Sequence, residues 1–157
     1  MADHERHIVS ASAKIPAPPG RVYGIIANYV DEHPRILPPE FSGLVVEQGG
    51  IGAGTIIRFK LRVLGRTQNY RAVITEPEPG RVLVERYLEP EGTMTTFTVD
   101  PEAGGAQSLV TFSTAMPVKS GFVGKIERFV STRALRPIFI RELQLLSARA
   151  TQANANQ

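Results

Sequence analysis

The sequence predicts an α+β domain in which a curved, seven-stranded antiparallel sheet wraps a long C-terminal helix. Three observations carry this. From Phe41 to Met116 apolar residues fall at alternate positions, in segments separated by Gly- and Pro-containing turns, the pattern of a meander with one buried face. From about Ser120 to Ala148 the spacing becomes helical. Ahead of the meander stand one further alternating segment and two short helical pieces.

Each element has its own signal. In residues 7–15, Val9, Ala11, Ala13 and Ile15 share one side of a strand. Pro16, Pro18, Pro19 and Gly20 end it, and Pro18–Pro19 suit the opening turn of a helix. Val22, Ile25, Ile26 and Tyr29 then recur at helical spacing, and a second helical piece over Asp31 to Leu37 is stopped by Pro38–Pro39. Leu44 and Val46 lead into the glycine-rich turn at 49–55. Ile57, Phe59, Leu61 and Val63 oppose Arg58, Lys60 and Arg62 on the next strand. Tyr70, Ala72 and Ile74 follow Gly65, and Val82, Val84 and Leu88 follow the turn at 77–80. Phe97 and Val99 oppose Thr96 and Thr98, and Val110, Phe112 and Met116 follow Gly104–Gly105.

In the final helix Ser120 suits an N-cap. Phe122, Ile126, Phe129 and Val130 form one stripe, while Leu135, Ile138, Phe139, Leu145 and Leu146 form another on nearly the opposite side. Pro137 lies between them and is expected to kink the helix, so that each half presents its stripe to a different surface. The polar tail from 149 to 157 is expected to fray.

Composition bounds the function. The 157 residues, 42% hydrophobic and 21% charged, describe one globular domain over 1–157, ordered from about 5 to 148. No apolar run reaches membrane-spanning length, and the N-terminus has no apolar signal core, so a cytoplasmic protein without integral membrane association is expected. The absence of cysteine excludes disulfides, thiolate metal sites and a Cys nucleophile. A homodimer is compatible with the sequence, which specifies no oligomeric state.

The net charge of +3 is unevenly distributed. Arg58, Lys60, Arg62, Arg66 and Arg71 occupy a stretch without acids, and acids dominate from Glu76 to Glu91. Basic balance can attract nucleic acid or an anionic surface. No aromatic-rich reading motif accompanies it here, so solvated outer faces are the simpler explanation and no nucleic-acid partner is expected.

With no Trp and 7 Phe plus 4 Tyr, the chain has few large side chains to fill the space between a twisted sheet and a helix, and a cavity is expected there. The element order, with APPGRVYGIIANY at 17–29, GGIGAGTIIRF at 49–59, ITEPEPGRVLVERY at 74–87 and RPIFIRELQLL at 136–146, resembles the helix-grip (START-like, SRPBCC) superfamily. It looks most like the polyketide cyclase/dehydrase and lipid-transport branch. The resemblance covers about residues 5 to 148 and rests on turns and core positions. It implies a hydrophobic ligand but carries no catalytic motif.

Individual residues refine this. Gly49, Gly50, Gly52 and Gly54 lack phosphate-loop spacing and read as hairpin geometry. No GxSxG is present, the aspartates are Asp3, Asp31 and Asp100, and His4, His7 and His33 are not brought together by any pattern, so neither a metal nor a cofactor is expected. His33 could act as an acid or base at a cavity mouth, but a solvated loop histidine is the simpler reading.

On the fifth strand, an inward Val82, Val84 and Leu88 takes Arg86 inward, whereas an inward Leu83 and Tyr87 takes Glu85. The aliphatic count favours Arg86, either as an anchor for a ligand oxygen or, more simply, at the open end of the sheet paired with Glu142 or another acid. Tyr70, on the apolar face of its strand, needs a partner for its hydroxyl and could orient a ligand, core packing being the simpler role. Arg133 continues the Phe122, Ile126, Phe129 stripe and points either into the fold or outward.

The expected function is therefore binding of a hydrophobic small molecule (lipid, polyketide, isoprenoid or aromatic). The expected lining comprises Arg86, Tyr70, Phe59, Phe97, Phe112, Phe129 and Arg133. A polyketide cyclase or dehydrase with unknown catalytic residues is the first alternative. A protein-interaction module using Arg58, Lys60 and Arg62 is the second.

Overall fold

The structure, a computed structural model, describes residues 5–152. Strand β1 (Arg6–Ile15) is followed by helix α1 (Pro19–Ala27) and a single 3₁₀ turn over His33–Ile36. Six strands come next: β2 (Phe41–Gln48), β3 (Ile56–Val63), β4 (Arg66–Glu78), β5 (Val82–Glu89), β6 (Glu91–Glu102) and β7 (Gln107–Pro117). Helix α2 (Gly121–Gln152) closes the chain. All strands form one antiparallel sheet in the order β1-β7-β6-β5-β4-β3-β2, so the first strand pairs with the last and the meander runs to the other edge.

The concave face carries the alternating residues. Ile57, Phe59 and Leu61 of β3 are buried and Arg58, Lys60 and Arg62 exposed. Val110 and Phe112 of β7 sit opposite Val99 and Phe97 of β6. Bulges interrupt β2 and the β4–β5 and β5–β6 pairings, and such irregularities bend a sheet.

Helix α1 starts as its prolines require, with Pro18 extended at the cap and Pro19 in the first turn. Past its end, the Asn28 side chain accepts the backbone N–H groups of Val30 (3.1 Å) and Asp31 (3.0 Å), steering the chain into the 3₁₀ turn. The glycine-rich loop docks here: Tyr29 N–H donates to the Gly50 carbonyl (2.8 Å) and Gly52 N–H to that of Ala27 (3.0 Å). Gly52 has φ +65°, and a Cβ there would overlap Glu76 Oε1.

Helix α2 is one unbroken helix with Pro137 inside it. Its second half buries Ile138, Phe139, Glu142, Leu143, Leu146 and Ala150. The helix runs on to Gln152, so residues 149–152 are not a frayed tail. Arg149 clamps Glu32 with bonds of 2.7 and 3.0 Å, and Arg21 donates to the Ala150 carbonyl. The remainder of the expected tail, 153–157, lies outside the described residues. In the first half of α2, Phe122, Ile126 and Phe129 are exposed.

Candidate functional site

A cavity of about 430 Å³ lies between the concave face and α2. One wall is aromatic. Phe59 stacks on Tyr70 at 5.3 Å between ring centroids, Tyr70 meets Tyr87 at 5.4 Å, and Phe41 leans on Phe59 at 5.6 Å. Across from it Leu135, Ile138 and Phe139 of α2 close the space. These positions follow from period two on the strands and period 3.6 on the helix.

Part of the lining is a hydrogen-bonded polar cluster. Glu85, at the centre of β5, is 5% exposed and accepts hydrogen bonds from the Tyr29 hydroxyl (2.7 Å) and the Tyr87 hydroxyl (3.3 Å). The Tyr87 hydroxyl also contacts Thr95 Oγ1 (3.2 Å), which meets Thr114 Oγ1 at 2.8 Å. Burial pushes the Glu85 carboxyl up to about 7, the two phenols pulling partly the other way. Burial also holds the phenols of Tyr29 and Tyr87 well above their ordinary range, so both remain donors at neutral pH.

Glu142 reaches the same cavity from α2. It is 3% exposed and makes no hydrogen bond to any described residue. Burial first, and then the Glu85 charge, raise its carboxyl well above the ordinary carboxylate range. Two acids in one buried site resist joint ionisation.

His33 completes the cluster. Its Nδ1 lies 2.7 Å from the Ile26 carbonyl, which can only accept, so the proton sits on Nδ1 and Nε2 presents a lone pair. Nε2 lies 3.9 Å from Glu85 Oε1, and the ring stacks on Tyr29 at 4.3 Å. Burial pushes the imidazole down to about 4, so at neutral pH it is uncharged and its approach to Glu85 is not an ion pair. The expected solvated histidine is instead buried, because the 3₁₀ turn folds it inward under α1.

The structure redistributes the expected site residues. Phe59, Tyr70 and Phe97 line the cavity, and the Tyr70 hydroxyl donates to Gln68 Oε1 at 3.2 Å. Phe112 lies in the packed core and not on the wall. Phe129 is 63% exposed with the Arg133 guanidinium 5.4 Å over its ring, so this pair sits on the outer side of α2.

Arg86 is exposed on the outer face, and Glu85 takes the inward position. The pairings decide this: Leu83 sits opposite Phe97 and Tyr87 opposite Ala72, all on the concave side, which carries Glu85 in with them. Val84 is buried on the opposite face, so the aliphatic count misleads. Chemistry agrees, since a buried Glu can stay protonated whereas a guanidinium stays charged.

Glu142 belongs to the cavity-lining cluster and is not a partner of Arg86. Its signal was present: it falls four residues after Ile138 and three after Phe139, on the buried stripe. On the outer face Arg58 and Arg71 lie 3.4 and 2.9 Å from Glu47. Among the described residues no three His, Asp or Glu side chains are placed to hold a metal ion, and no helix is long and apolar enough to cross a membrane.

A curved seven-stranded antiparallel sheet gripping a long C-terminal helix defines a START-like, helix-grip domain. The chain belongs to the polyketide cyclase/dehydrase and lipid transport family, whose match spans residues 6–151. The solution structure of KanY protein superposes with a TM-score of 0.80 at 26% identity, covering 93% of this chain and 98% of that one. The Zhui aromatase/cyclase from Streptomyces sp. R1128 gives 0.76 at 13% identity, covering 96% of each chain. A START superfamily protein from Mycobacterium smegmatis gives 0.68 at 14% identity, covering 94% and 99%. At these last two identities the likeness is one of fold. No curated protein matches the sequence.

Proposed function

We propose that the protein binds a hydrophobic small molecule, of the lipid, polyketide, isoprenoid or aromatic class, in the cavity between the sheet and α2. The observation that supports this best is the composition of the cavity: about 430 Å³ walled by Phe41, Phe59, Tyr70 and Tyr87, with Glu85, Glu142 and His33 among its few charged or titratable groups. Burial of apolar ligand surface supplies the affinity, and the polar groups fix orientation. Native mass spectrometry of the freshly purified protein, followed by denaturation and identification of released molecules, tests it. A stoichiometric hydrophobic ligand supports the reading. A mass without ligand, together with no thermal stabilisation by a panel of such molecules, sinks it.

A second reading is favoured by the Glu85, Glu142 and His33 cluster. A protonated Glu142 can donate to a ligand carbonyl, and His33 Nε2 or Glu85 can take a proton, which is the equipment for carbonyl chemistry of the cyclase or dehydrase kind. Substituting Glu85 by Gln would abolish turnover in an enzyme and only alter affinity in a carrier.

A further inference from the structure

We propose that the polar end of the ligand is a protonated amine, seated between the carboxyl groups of Glu85 and Glu142. This rests on the reading that the cavity takes a small hydrophobic molecule, and it names the class of that molecule. Glu142 is buried as a residue, lines the cavity and is engaged by no hydrogen bond among the described residues, so its carboxyl is open to whatever occupies the cavity. Glu85 faces the same space with both oxygens already accepting from phenols, so its remaining lone pairs call for a further donor.

The charges around the site exclude the opposite sign. Among the described residues no Lys or Arg lines the cavity, Arg86 being outside. His33 is uncharged at neutral pH, and its free nitrogen accepts. A fatty-acid carboxylate or a phosphate would meet two acids and no cation. A neutral hydroxyl has one proton to give. An ammonium brings three donors and a charge.

The titratable groups around the pair are Tyr87 on β5, Tyr70 on β4, Tyr29 and His33 between α1 and β2, and Glu91 at the start of β6. At neutral pH the phenols and His33 are uncharged. Seating the cation therefore draws a proton off the Glu85–Glu142 pair, and binding releases it to solvent.

Three probes that share a ring system and differ in head group test this by calorimetry at neutral pH: 2-(2-naphthyl)ethylamine, 2-(2-naphthyl)ethanol and 2-naphthylacetate. The amine is expected to bind at least about tenfold tighter than the alcohol, with the acetate weakest. Glu142→Gln is expected to bring the amine to within about threefold of the alcohol. Repeating the titration of the unmutated protein in phosphate and Tris buffers reads the released proton and does not depend on the variant folding. An alcohol that binds as tightly as the amine, or amine binding without proton release, overturns the amine and leaves the cavity reading standing. No binding by any probe overturns both.

Discussion

The Tyr29 hydroxyl donates a 2.7 Å hydrogen bond to Oε1 of Glu85, across 56 residues of chain. The bond ties the segment after α1 to the middle of β5 beside the cavity. It also explains how a carboxyl can sit 5% exposed in the concave face, since a second phenol, Tyr87, donates to the other oxygen. Tyr29 is itself only 1% exposed and stacks on His33, so one aromatic ring positions both the acid and the imidazole.

Tyr29→Phe removes the shorter of the two bonds and leaves Glu85 Oε1 without its phenol donor. The expected loss is about 1–3 kcal/mol of stability, measured by urea denaturation. The donor also favours the charged carboxylate, so in the variant the Glu85 carboxyl titrates above about 7, which the NMR shift of its side-chain carboxyl carbon reads. Unchanged stability together with an unchanged titration would show that the bond contributes nothing.

Raising pH is expected to destabilise the protein through neutrality. Burial raises the folded Glu85 carboxyl to about 7 and holds that of Glu142 well above the ordinary carboxylate range, whereas unfolded carboxyls titrate near 4.5. Above 4.5 the folded state therefore holds more protons than the unfolded state, and stability falls as pH rises through the folded values. His33 acts in the opposite sense, but only between its folded value of about 4 and its unfolded value of 6.5. Above about pH 6.5 the carboxyls act alone, and thermal melts should show Tm declining as pH rises through the Glu85 value of about 7. Glu142→Gln flattens that decline, and an equally steep decline in the variant would assign it to other groups.

Gly52→Ala tests the docking of the glycine-rich loop. The new Cβ meets Glu76 Oε1, which accepts the Ala53 N–H at 2.7 Å, while Glu76 Oε2 accepts the Tyr23 hydroxyl at 2.6 Å. The φ of +65° adds backbone strain. A loss of about 1–3 kcal/mol is expected in chemical denaturation. A neutral result would mean that the loop moves away from Glu76 without cost.

Arg86→Ala is expected to be silent. Its side chain lies on the outer face, so stability should change by less than about 0.5 kcal/mol and the affinity of any cavity ligand should be unaffected. Parallel ligand titrations of Arg86→Ala and Glu85→Gln separate the two faces of β5. Loss of binding in the first and not in the second would reverse the register described here.

Periodicity made most of the architecture legible. The six meander strands, the helix opened by Pro18–Pro19 and the long final helix are local patterns, set by which side of a strand or helix repeats apolar groups. The cavity wall was partly legible for the same reason, since Phe59, Tyr70 and Phe97 sit on faces marked by their neighbours. The two stripes of α2 were also readable, but which of them would be covered was not. The stripe containing Phe129 faces solvent, and the one containing Glu142 meets the sheet.

By itself the sequence determined the alternation on each strand and hence a choice between two faces for β5. Only the tertiary structure decided the choice. Leu83–Phe97 and Ala72–Tyr87 are cross-strand contacts between distant segments, and they turn Glu85 inward and Arg86 outward. The same holds for His33. Its surroundings are built from Tyr29, Glu85 and Phe97, which no local pattern joins, and dehydration by those neighbours makes a surface-looking histidine a neutral acceptor. Periodicity is a property of one segment, whereas burial and charge state are set by what lies across from it.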